Sequence, residues 1–139
     1  MDSERDFRYR PRLAEGFLGE AEEDVRSSRW RSCVDNAQLA VENAIKAVIG
    51  RYGPIPRSHD VAGLLDELGK RSDLPPGTAG KLPALKALGD RLSYEEHIRS
   101  DYGEEGSYRT PWELFGQAEG TEALAVAREA VAPARDILG

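Results

Sequence analysis

Few residues in this chain have chemistry to offer. Its two histidines, His59 and His97, and its single cysteine, Cys33, are scattered along the sequence. That spacing matches no metal-ligand pattern, so no metal and no cofactor is expected. No glycine cluster joins a strand to a helix, which leaves no phosphate loop. No serine stands in a nucleophile elbow. The most unusual segment runs from Arg99 to Arg109 and holds Asp101, Tyr102, Glu104, Glu105 and Tyr108 between its arginines. Arginine pairs with phosphate and tyrosine stacks on a base. The plainer use of the same residues is an internal Arg–Asp pair that fixes the loop, with Tyr102 as a half-buried anchor. His59 follows Ser58, a capping type, and so falls in the first turn of a helix. It can donate to an anion there, or simply pack. Arg26, Arg29 and Arg31 crowd one junction, as a phosphate patch or as a solvated face laced with Glu22, Glu23 and Asp24.

The elements that must position these groups read as helices throughout. Leu13, Phe17, Leu18, Ala21 and Val25 form one helical face, with Pro11 suited to a first helical position. Residues 1–10, mixing acids with arginines, are expected as a flexible arm before a domain over 11–139. Ser27 or Ser28 can cap a second helix over about 29–50. Val34, Ala37, Val41, Ala44, Ile45 and Val48 stripe it, and Trp30, Cys33, Ala40 and Ala47 add a second apolar side, so it should be central. Ser58 opens a third helix with Val61, Leu64, Leu65 and Leu68 inside. A fourth, from about residue 79 or 83 to 98, carries Leu85, Leu88, Leu92 and Ile98. Thr110-Pro111-Trp112-Glu113 reads as a capping box. It opens a last helix with Leu114, Ala118, Leu124, Ala127, Val131, Ala134 and Leu138 as core candidates, interrupted near Gly116 and Gly120 and bent at Pro133. No segment alternates with a period of two. The expectation is an all-α, up-and-down antiparallel bundle of about five helices.

Composition agrees with that reading. The 139 residues are 40% hydrophobic and 32% charged, the balance of a soluble globular domain able to bury its own core. A net charge of -6 does not favour nucleic acid through the field of the whole molecule, although it leaves room for a local basic site. The charged start has no apolar signal-peptide core, no run is long enough to span a bilayer, and one cysteine makes no intrachain disulfide. A cytoplasmic location is expected.

Several stretches together resemble the HEPN domain family. Ala37 to Ala47 looks like the signature second helix, and Phe17-Leu18 with Ala21 and Asp24-Val25 looks like the first. Ser58-His59-Asp60-Val61 with Leu64-Leu65 is similar to the opening of the third. Arg99-Ser100-Asp101-Tyr102, followed by Pro111-Trp112-Glu113-Leu114-Phe115, resembles the Arg-Tyr-Pro-Asp loop and final helix entry of the prokaryotic branch. Ser100 replaces the usual aromatic, and the proline is missing.

The resemblance implies a helical bundle that forms a homodimer. It also implies a minimal nucleotidyltransferase as partner, nucleotide or RNA binding, and a place in toxin–antitoxin systems. The ligand-binding residues it suggests are Arg99, Asp101, Tyr102 and His59. Many members of the family are metal-independent ribonucleases with an Arg-x4-6-His motif. No histidine follows Arg99 at that spacing, whereas Arg91 and His97 match it. In a continuous helix, residues six apart point about 120° away from each other. The leading expectation is therefore a non-catalytic binding module. A ribonuclease using Arg91 and His97 is the alternative, and a purely structural adaptor is the third.

Overall fold

The computed structural model describes residues 3–138, apart from the side chains of residues 3, 4, 6, 137 and 138. In chain order the helices are α1 (Ser3–Arg26), α2 (Trp30–Gly50), α3 (Val61–Gly69), α4 (Pro76–Ala79), α5 (Leu82–Arg91), α6 (Tyr94–Tyr102), α7 (Pro111–Leu114) and α8 (Gln117–Leu138). α4 and α7 are single turns, and among the described residues there is no strand, only one bridge between Glu104 and Arg109. The chain is the all-α bundle the apolar periodicity predicts. No helix among the described residues is long and apolar enough to cross a membrane.

α2 is the axis. It packs against α1, α8, α6, α3, α5 and α7. Ala37, Ala40, Ala44 and Ala47 are wholly buried and let neighbouring helices approach closely, while Val34, Val41, Ile45 and Val48 fill the space between them. Each large apolar side chain sealed there contributes roughly 1.5–3 kcal/mol. Leu18 and Ala21 of α1, Leu65 of α3, Leu85 of α5, and Leu124, Ala127 and Val131 of α8 complete the core.

Local rules and tertiary packing disagree at several places. Pro11 lies inside α1 and is fully buried. It removes one helical hydrogen bond, yet the segment before it is helical from Ser3, in place of the expected loose arm. The Arg10 Nη1 group donates to Asn43 Oδ1 at 3.0 Å, tying this turn to α2. Neither Ser27 nor Ser28 caps α2; its N-cap is Arg29, and Ser28 has a positive φ of 57°. The buried Asp24 carboxylate holds that junction instead, accepting from Ser32 Oγ and Asn36 Nδ2, both at 2.8 Å. Asp60 rather than Ser58 caps α3, while Ser58 Oγ accepts from the Asp60 N–H at 3.0 Å. The expected fourth helix breaks at Leu92–Ser93, because Leu92 leaves helical geometry (φ −131°, ψ 72°) with its side chain buried. The last helix divides after its capping box at Thr110 and Glu113, in keeping with its glycines. Ile98 and Ala118 are exposed rather than core, and the Leu138 side chain lies outside the described residues.

Candidate functional site

Arg31, Asp35, Gln38, Glu42 and Lys46 follow one another on α2 at spacings of three and four, the interval that stacks side chains along one helix face. The result is a polar strip on an otherwise apolar rod. Gln38, Glu42 and Lys46 are buried, and the Gln38 Oε1 atom has no hydrogen-bond partner. α6 crosses the N-terminal half of this strip, and the loop before α3 meets its C-terminal half.

Under α6 the groups compensate one another. His97 Nδ1 is hydrogen-bonded to Asp35 Oδ1, and its Nε2 lies 3.8 Å from Asp101 Oδ2. Arg31 Nη1 donates to the Ser100 carbonyl at 2.9 Å and to Asp101 Oδ1 at 3.3 Å, and it lies 4.0 Å from Asp35. Burial, and then the neighbouring Asp101 carboxyl, push the Asp35 carboxyl above its ordinary range; His97 pulls it the other way. Two carboxylates, one guanidinium and one imidazole thus form a closed cluster. Asp35, His97 and Asp101 place one ligand atom each within 4.8 Å of one another. They are the residues here that can hold a cation, although Arg31 already occupies the same carboxylates.

Toward the other end of the strip, Glu42 is shared by two basic groups. Lys46 Nζ donates to it at 3.3 Å and His59 Nδ1 bonds it at 3.1 Å. Tyr94 stacks flat on the His59 ring, 3.9 Å between centroids and 8° from parallel, and it tilts against His97 at 5.5 Å. Beside His59 opens a cavity of about 360 Å³ lined by Arg10, Lys46, Ile55, Pro56, Arg57, Ser58 and His59. Three basic side chains besides His59 line it and no carboxylate does. Among the described residues Arg57 has no ion-pair partner. The buried Arg10 Nε atom has no hydrogen-bond partner.

The residues singled out from sequence are thus divided. Asp101 and His97 come together, and His59 joins them through Tyr94. Arg99 faces elsewhere. It bonds Glu96 at 3.1 Å and Glu104 at 2.7 Å and lies over the Phe115 ring. Although burial works against it, these two carboxylates raise the Arg99 pKa further and hold the guanidinium charged. Arg91 ends α5 and pairs with Glu122 of α8, while His97 on α6 engages α2. Tyr102 is an exposed ring rather than a half-buried anchor, as are Tyr108 and Trp112. Sequence reasoning missed Asp35, Arg10, Lys46 and Arg57. For Asp35 and Lys46 the available signal was their place on the polar strip of α2. Nothing local marks Arg10 or Arg57.

An all-helical bundle around an alanine-rich second helix with a buried Gln–Glu–Lys strip defines the class of this protein. The HEPN-domain family model matches residues 8–137, and the chain belongs to that family. Its fold is similar to the crystal structure of TT1696 from Thermus thermophilus, with a TM-score of 0.68 and 20% sequence identity. The match covers 94% of this chain and 97% of that one. At that identity the likeness speaks to the fold alone. No curated protein matches the sequence.

Proposed function

We propose that this HEPN domain is a non-catalytic binding module that holds a phosphate group of a nucleotide or RNA in the cavity beside His59. The single observation that carries this reading is the makeup of that cavity. Arg10, Lys46 and Arg57 bring three positive charges to one concave site, against the one carboxylate of Glu42 behind it. A low-dielectric pocket with surplus cations favours an anion. Arg99 braces the loop beyond α6 through Glu104, and Asp101 pairs with Arg31 under α6.

The same module docks protein partners. Tyr102, Tyr108 and Trp112 are 73%, 91% and 74% exposed around a loop of mixed charge. Exposed aromatics beside arginines are the usual anchors of protein interfaces. A second copy of the chain and a minimal nucleotidyltransferase, within a toxin–antitoxin type of system, are the partners the family kinship suggests. Calorimetry with ATP and with short RNA, together with a pull-down against a neighbouring nucleotidyltransferase, tests both parts. Absence of binding in all three assays removes the reading.

A second reading keeps the ribonuclease alternative, and one observation favours it. Asp35 orients His97 through Nδ1, as a carboxylate orients a catalytic base. Its arginine is then Arg31, close to the same groups, rather than Arg91, which is engaged by Glu122. RNA cleavage that disappears in His97→Ala but persists in His59→Ala supports it, and cleavage indifferent to His97→Ala ends it.

A further inference from the structure

We propose that the cavity beside His59 accepts a terminal phosphate monoester, the dianion at the end of a mononucleotide or of an RNA strand, and discriminates against internal phosphodiesters. This rests on the phosphate-binding reading above and narrows it.

Charge is the first argument. Arg10, Lys46 and Arg57 contribute three positive charges and Glu42 one negative, so the site carries a surplus of about two. A phosphate monoester carries close to two negative charges at neutral pH. A diester carries one and leaves a cation uncompensated.

Depth is the second argument. The cations are arranged from floor to rim. The Lys46 side chain is only 9% exposed, whereas His59 is 55% exposed and Arg57 stands in the open. A group that leads with bare oxygens reaches the Lys46 ammonium with the least displacement of the lining. A monoester has three bare oxygens and one substituent, so it can lead with its oxygens. An internal diester has a substituent on both sides and has to bring chain in with it.

The remaining lining residues suit the same ligand. Ser58 Oγ accepts from the Asp60 N–H, which leaves its O–H free to donate to a phosphate oxygen. Glu42 and Tyr94 fix the His59 ring at the rim. Ile55 and Pro56 offer an apolar wall to a ribose or base. The Ile55 side chain is itself pressed against Gly50, where an added Cβ would lie 2.9 Å from Ile55 Cδ1, so the end of α2 sets that wall.

The test is calorimetry on the full chain with AMP, the methyl ester of AMP, adenosine, and one short RNA with either a 5′-phosphate or a 5′-hydroxyl. The expected result is AMP bound at least about tenfold more tightly than its methyl ester, with no binding of adenosine. Arg57→Ala should weaken AMP about 10- to 100-fold, the range for losing a charged hydrogen bond. Because Arg57 is exposed and unpaired among the described residues, the variant's melting temperature should not move. RNA preferred only when 5′-phosphorylated, and over AMP, assigns the ligand as a strand end; AMP preferred over either RNA assigns it as a free nucleotide. Equal affinity for AMP and its methyl ester, with Arg57→Ala weakening both, overturns the monoester inference and leaves the phosphate site standing. Binding of none of the phosphate probes overturns both.

Discussion

The two halves of the polar strip on α2 use similar residues to opposite ends. Under α6, Arg31 and His97 meet Asp35 and Asp101, and each of the four groups has a partner within the cluster. Beside the loop before α3, Arg10, Lys46 and Arg57 surround a cavity with Glu42 as the one counter-charge. A cluster closed on itself has spent its electrostatics on holding helices together. One with surplus cations leaves attraction unspent, as the proposed phosphate site requires. The histidines follow the same division: His97 is four-fifths buried against two carboxyl groups, whereas His59 is more than half exposed at a cavity mouth.

This contrast can be broken by substitution. Arg31→Ala leaves two adjacent carboxyl groups without their guanidinium. It should cost about 2 kcal/mol of stability, read from urea unfolding, with nucleotide affinity unchanged. Arg57→Ala should do the reverse, with lost affinity and unchanged unfolding. If the two variants trade these effects, the division between a lock and a receptor is wrong. Thr110→Ala, outside both clusters, removes the capping box of α7 and should cost about 1 kcal/mol without touching either.

The smallest expected effect concerns pH. The Asp35 carboxyl is raised in the folded state, so its contribution to stability is fully present in acid, below its unfolded pKa. That contribution is lost as pH rises through the folded value. In Asp35→Asn the loss disappears. The stability of the variant relative to the parent, read from urea unfolding, should therefore rise from pH 4 to pH 7, and a difference that moves in the opposite sense contradicts the assignment. Cys33 provides a check on core integrity during all these measurements. Burial pushes its thiol up to about 11, so it should resist alkylation at pH 8 until the chain unfolds.

How much of this was legible in sequence depended on distance along the chain. The central helix could be read from Val34 to Val48, because a 3.6-residue stripe needs only its own segment. The capping box at Thr110 and Glu113 could be read for the same reason. The break at Leu92–Ser93 was marked only by the capping spacing of Ser93 and Glu96 inside a continuing apolar stripe, and Ser93 is indeed the N-cap of α6. That break also carries Arg91 and His97 onto different helices. His97 and Asp35 lie 62 residues apart and meet only because α6 folds back over α2. Arg10, Lys46 and Arg57 come from three separate segments, and the net charge of -6 conceals their convergence.

With only two histidines in the chain, the claim has a direct readout. Nuclear magnetic resonance spectra of the imidazole ring signals, recorded while AMP is added, report on both halves of the strip at once. The account predicts a saturable movement of the His59 signals while those of His97 stay nearly still. Movement centred on His97, or no movement of either ring, contradicts it.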